Sequence, residues 1–247
     1  MIEANSLLSE NTQKQIHALA VSIATRIVDN EPPHTLQSKN LLQTQLELQL
    51  EQQIIAFFER YAAGIKELMA SLIVMHKTHP DIDLGEIFTE LDKLGKGYSQ
   101  LGQFPEETRS LREISGVSDS AMQIFNEAVA EIYGNKEYDR ALKMYAFLSF
   151  LEPNEPAYWL GYGNCEFFGQ RYDRALPAYE MTIRLDGSNP LNHFYIAHCY
   201  HELNQKEQAV EEVERAIALM KGKPEMSHYH GQAEQLKQFF SEMAIKP

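Results

Sequence analysis

The sequence predicts an all-α protein built of stacked helical hairpins, and three observations carry that expectation. The pentapeptide Tyr-Asp-Arg-Ala-Leu stands at Tyr138–Leu142 and again at Tyr172–Leu176, 34 residues further on. Apolar residues recur at spacings of three and four on both sides of this repeat, the period of one buried helix face. Gly134-Asn135 and Gly169-Gln170 close helices inside the repeated unit, and Pro153, Pro156 and Pro190 punctuate its borders.

Composition narrows the function classes. The 247 residues are 44% apolar and 23% charged, which is ordinary for a folded protein of one or two domains. The formal net charge is −13, and both the first 115 residues and the remainder are acidic. Such a surface repels phosphate, which argues against nucleic acid and against anionic membranes as partners. The start, MIEANSLLSENTQKQ, has no basic region followed by an apolar core, and no run reaches the roughly 18 apolar residues of a membrane span. A cytoplasmic protein without membrane insertion is expected.

Residues 1–105 read as a helical extension. Ile16, Leu19, Ile23 and Ile27 are spaced for a helix over about 11–29, stopped by Pro32-Pro33. Between Ser38 and Lys77 an apolar stripe runs through Leu42, Leu46, Ile54, Phe57, Tyr61, Ile65, Leu68, Leu72 and Met75. At 1.5 Å per residue an unbroken helix there is about 60 Å long, so it either breaks or reaches beyond one domain. Its stripe is buried in an intramolecular bundle or pairs with a second subunit as a homodimer. A third helix over 84–94 ends at the glycine-spaced turn Leu94–Tyr98, and Gln103–Glu107 leads on. Residues 106–121 form the connector.

Self-alignment at 34 residues superimposes Ala141, Ala175 and Ala209, and Cys165 on Cys199, without gaps. That is the length of a tetratricopeptide repeat, a helix-turn-helix with aromatic, Leu-Gly, Ala, aromatic and Pro at fixed offsets. Three units follow, 122–155, 156–189 and 190–223. In the second, Trp159, Tyr162 and Gly163 lie on the first helix and Tyr172, Ala175 and Tyr179 on the second. Gly163 and Ala175 are small where the helices cross closely, and the aromatics fill the space beside them. Residues 224–247 supply a capping helix, with Ala233, Leu236, Phe239, Phe240 and Met243 on one face to cover the last unit.

Four stretches in this region are more specific than the repeat pattern. They are Leu111-Arg-Glu-Ile-Ser-Gly-Val-Ser118, Ile124-Phe125 with the Tyr138-x-x-Ala141 turn, Trp159-Leu-Gly-Tyr-Gly-Asn-Cys165, and His193-Phe-Tyr-Ile-Ala-His-Cys199. Over residues 108–243 they resemble the class II type III secretion chaperones, repeat proteins that hold hydrophobic translocator subunits in the bacterial cytosol before export. That family is much shorter ahead of its first repeat, so the resemblance says nothing about residues 1–105. It implies a non-enzymatic, cofactor-free chaperone of the bacterial cytoplasm, whose concave groove takes an extended, partly apolar segment of a translocator client. Groove positions on the first helices are then Asn126, Ala130 and Tyr133; Leu160, Asn164, Phe167 and Phe168; and Phe194, His198 and His201. Val129 and Ile132 take the first-helix positions instead if the turn carries an insertion. Packing between repeats is the plainer reading of the same apolar residues. A structural, sorting or adaptor component of the secretion apparatus is the alternative function, and an enzyme with its site in the first 105 residues is a third.

Candidate chemistry is sparse. His198 and His201 share a face at i, i+3, but no carboxylate or thiol of suitable spacing completes a metal set, and no metal is expected. Cys165 and Cys199, one repeat apart, read as buried thiols beyond disulfide reach. Asp81-x-Asp83 lacks the remaining positions of a calcium loop. Gly95-Lys-Gly97 lacks phosphate-loop spacing, and Gly116-Val-Ser118 is no nucleophile elbow.

Overall fold

The computed structural model describes residues 39–98 and 110–244, together with the helical residues Lys14, His17, Ala20, Val21, Ala24, Thr25 and Val28. The expected face Ile16, Leu19, Ile23 and Ile27 and the stretch 103–107 lie outside the described residues, as do the side chains of Phe57 and Met243. From Lys39 onward ten α-helices follow, and no strand occurs among the described residues. The chain divides into two compact units, 1–62 and 63–247.

In the first unit the helical residues Ala20, Ala24 and Val28 are buried at i, i+4 and i+8. Gln43 donates to Thr25 Oγ1 at 3.3 Å and to Glu47 Oε1 at 3.0 Å, and His17 meets Glu51. Gln43, Glu47 and Glu51 are at i, i+4 and i+8 on helix α1, Lys39–Thr78. This helix is unbroken for 40 residues, and the division between the units falls within it. Of the two alternatives left open for the long stripe, the structure takes the one in which the helix reaches beyond a single unit.

The second unit starts with the last turns of α1. Leu68, Leu72 and Met75 are buried, and Gly64 lies against the backbone of Lys143, where a Cβ would stand 2.4 Å from the carbonyl oxygen. Glu67 accepts from Arg140 Nε at 2.9 Å and from Lys143 Nζ at 3.3 Å, and Ser71 Oγ accepts from Arg140 at 3.2 Å. Helix α2, Leu84–Tyr98, starts where Asp83 Oδ1 accepts from the Gly85 and Glu86 amides, which explains the aspartate that mimics a calcium loop. It continues through Gly95-Lys-Gly97, where the sequence suggests a turn, because glycine lowers helix propensity by about 1 kcal/mol without forbidding the helix. The connector contains the short helix α3, Leu111–Ser115, closed by a Ser110–Glu113 capping box and by Gly116 at φ 68°. Ser118 caps the next helix through its hydroxyl, so Gly116-Val-Ser118 is a link between two helices.

Three hairpins then stack: α4 Asp119–Gly134 with α5 Tyr138–Leu151, α6 Pro156–Phe168 with α7 Tyr172–Leu185, and α8 Pro190–Glu202 with α9 Lys206–Met220. Pro156 and Pro190 occupy first-turn positions, where a missing N–H costs nothing. Inside each hairpin the chain reverses through a residue at positive φ, Lys136 (62°), Gln170 (60°) and Asn204 (59°), spaced one repeat apart. The glycines of the two turn signals are not these residues; Gly134 ends α4 and Gly169 has φ −78°. Each left-handed turn closes with the same pair of bonds, such as Gln170 N–H to the Phe167 carbonyl and Arg171 N–H to the Glu166 carbonyl, both 2.9 Å. Ala141, Ala175 and Ala209 are fully buried at the crossings, as their alignment requires. Helix α10, Ser227–Ala244, lays Ala233, Leu236 and Phe240 on a core made by Phe194, Val213, Ala216 and Met220.

Candidate functional site

The first helices of the hairpins carry aromatic residues at their C-terminal ends, and the second helices of the first two hairpins start with a tyrosine. The repeat brings the two sets together. Tyr133 of α4 meets Tyr138 and Tyr145 of α5 edge-on, with centroids 5.6 and 6.2 Å apart. Tyr138 stacks on Phe168 of the next hairpin at 4.9 Å and 17°, and Phe168 stays 43% exposed. Phe167 touches Phe168, Tyr172, Tyr195 and His198 at 5.2–6.0 Å. His198 continues to Phe194 at 5.0 Å and to Phe240 at 6.3 Å, and His201 stacks on Phe240 at 4.6 Å with Phe239 at 5.4 Å. An unbroken aromatic wall thus crosses three hairpins and ends on α10. Offset and edge-on pairs of this kind are worth about 0.5–1.5 kcal/mol each beyond their burial, which holds the surface rigid.

The expected groove residues occupy different surroundings. Asn126 and Val129 line a cleft at the first-repeat end, with Asn126 exposed and Val129 buried; Ala130 is exposed and Tyr133 half-buried. Ile132, the other residue of the shifted register, is buried. Leu160 and Phe167 are partly buried against the Ala175–Tyr179 core. Asn164 accepts a 2.9 Å bond from the Tyr179 hydroxyl, so its amide is fixed from below. Phe194 is buried in the third-hairpin core, whereas His198 and His201 are partly buried and meet α10. Tyr138, Tyr145 and Phe239 belong to the same wall, although the sequence places Tyr138 at a turn and Phe239 on the cap. The signal for Tyr138 and Tyr172 was the opening residue of the repeated pentapeptide.

Burial dominates the electrostatics of the wall and of the thiols beneath it. Burial lowers the His198 pKa below its ordinary value, His201 adds to this, and Glu202 opposes it. Burial pushes the Cys165 and Cys199 thiols up to about 12, which removes thiolate nucleophilicity at neutral pH. His193 lies apart, 2.6 Å from Glu212, which also pairs with Arg215. Among the described residues no three His, Cys, Asp or Glu side chains come together as a metal set. Glu166, 2% exposed, is neutralised by Arg171, which reaches Asp139 of the preceding hairpin at 3.1 Å and ties the two together.

Comparison with known proteins agrees with this architecture. The family model described as tetratricopeptide repeat matches residues 125–190. No curated protein matches the sequence. Among solved structures, the Yersinia enterocolitica type III secretion translocator chaperone SycD is 20% identical over 53% of this chain and 90% of its own, with TM-score 0.51. Pseudomonas aeruginosa PcrH, solved in complex with the chaperone binding region of PopD, is 22% identical over 52% and 97%, with TM-score 0.51. A type III secretion complex from Aeromonas hydrophila is 21% identical over 60% and 99%, with TM-score 0.56.

Proposed function

We propose that this protein, whose repeat region has the fold of the type III secretion translocator chaperones, is itself such a chaperone. It acts in the bacterial cytoplasm, without cofactor or catalysis, and holds an extended, partly apolar segment of a translocator client along the aromatic wall. The observation that carries the reading is the continuity of that wall, from Tyr133 through Phe168, Phe167 and His198 to Phe239, on side chains that carry no formal negative charge in a chain of net charge −13. A neutral, rigid, half-exposed aromatic strip grips successive apolar side chains, and the acidic surface around it keeps the pair dissolved. PcrH, of the same fold, is described in complex with the chaperone binding region of PopD, which supports a client of this kind. Binding the unfolded client removes it from aggregation by mass action. Residues 1–62 form a unit of their own and are the assembly element in this reading, available to a second copy or to the export machinery.

Co-expression with candidate translocators tests the proposal. Soluble one-to-one complexes are expected with the wild-type chain and are lost with Phe168→Glu or Phe167→Glu, at least tenfold in Kd, since a carboxylate in this strip is desolvated by the client. Complexes that survive both substitutions place the client elsewhere.

A further inference from the structure

One cleft bears on which side chains the wall selects. At the first-repeat end α3, α4, α5 and α6 enclose about 440 Å³. Two tyrosines form its walls. Tyr145 lies flat against Gly161, where a Cβ would stand 2.4 Å from its ring, so the ring is held in place from behind. Tyr158 is 5% exposed, and its hydroxyl donates to Glu152 Oε2 at 3.4 Å. The rim is charged. Arg112 is a cation of the lining, and it is already held by Glu152 at 2.6 Å and by Asp119. Glu155 caps α6 through one oxygen, which accepts from the Ala157 amide at 3.2 Å, and among the described residues its other oxygen has no partner. Two lining carboxylates, Glu152 and Glu155, therefore stand against one guanidinium around a cavity with aromatic walls, and the exposed Asp119 holds that guanidinium from outside the lining. Burial pushes the Tyr158 hydroxyl up to about 12, and the charges of Glu152 and Glu155 push the same way while Asn126 opposes them, as expected where the local potential is negative.

We propose that this cleft is a subsite for a basic side chain, arginine or lysine, of the segment bound along the groove. The alkyl stem runs along the Tyr145 and Tyr158 rings and the charge is placed on Glu155 and Glu152. Aromatic faces attract cations and accept their stems, and the free carboxylate oxygen supplies the directional partner. An acidic residue is repelled here, and an apolar one leaves the unpaired oxygen of Glu155 desolvated. The subsite rests on the groove reading and adds to it a charged position in an otherwise apolar selection.

The full chain is titrated, by fluorescence anisotropy, with fluorescein-labelled nonapeptides that carry leucine at alternate positions. The other positions bear, one at a time, arginine, lysine, norleucine or glutamate. At one position arginine and lysine are expected to bind about tenfold tighter than norleucine, with glutamate weakest. In Glu155→Gln, which keeps the carbonyl that caps α6, the advantage falls below about twofold at that position alone. Norleucine equal to arginine everywhere, a basic preference spread evenly over all positions, or one untouched by Glu155→Gln overturns the subsite and leaves the groove reading standing. Peptides that do not bind, or bind Phe168→Glu as well as wild type, overturn the groove reading and the subsite with it. n-Butylguanidinium, titrated alone and followed by amide NMR, reads the wild-type cleft directly: shifts are expected at Ala157 and Tyr158, and their absence overturns the proposal.

Discussion

At the scale of single residues, the wall depends on what glycine leaves out. The Gly161 position admits no side chain, because a Cβ there meets the Tyr145 ring at 2.4 Å, and Tyr145 in turn supports Tyr133. Gly161→Ala is expected to cost about 1–3 kcal/mol in urea unfolding, as overpacked cores do. Gly231→Ala, on α10 with nothing within 4 Å, is expected to stabilise by about 0.5–1 kcal/mol through helix propensity. An equal effect of the two would mean that Tyr145 moves aside freely. Self-alignment exposed Gly163, whose missing Cβ makes room for Tyr179 inside one hairpin. It did not expose Gly161, because that contact is made across a repeat border, and one unit away stand Glu127 and Tyr195. The left-handed residues were hidden differently. Lys136, Gln170 and Asn204 keep the 34-residue spacing but share no residue type, so backbone geometry repeats where chemistry does not.

At the scale of elements, the end of α1 is bound to α5 by charge. Burial raises the Glu67 carboxyl, but hydrogen bonds and charges from Arg140 and Lys143 outweigh it and leave it below the ordinary 4.5. A carboxylate lowered on folding stabilises the protein fully above its unfolded value, and that contribution is lost as pH falls through the folded one. Glu67→Gln is therefore expected to cost about 1–2 kcal/mol at pH 7 and to flatten the loss of thermal stability below pH 4.5. Parallel acid profiles for variant and wild type would show that the contact contributes nothing. The helix itself was legible, since Ile54, Tyr61, Ile65 and Leu68 keep its period without a gap. That same continuity concealed the division at 62/63, for a stripe that never breaks gives no sign of which partner covers each part. The expected boundary at residue 105 rests on the stretch Gln103–Glu107, which leads into the repeats well beyond the end of the stripe at Met75. Gly64 is the residue that betrays the crossing.

At the scale of the molecule, the hairpins form a linear stack whose last apolar face depends on α10. Truncation before Ser227 uncovers Phe194, Val213, Ala216 and Met220, and is expected to lower the melting temperature sharply and to cause aggregation on size-exclusion chromatography. Phe239, 48% exposed, is the counterpart: Phe239→Ser is expected to leave the melting temperature within about 2 °C and to weaken client binding, measured by anisotropy. The three-repeat order was readable from a single period. The reach of the wall beyond it was not, because the sequence counts Phe239 and Phe240 together on one covering face, whereas the first lies on the surface beside His201 and the second is 1% exposed. Under the proposed function, a helix that seals the stack on one side and lengthens the grip on the other makes its far end a poor place for a fusion partner: a purification tag or fluorescent protein attached there would crowd the last handhold and report weakened capture in a chain that is otherwise sound.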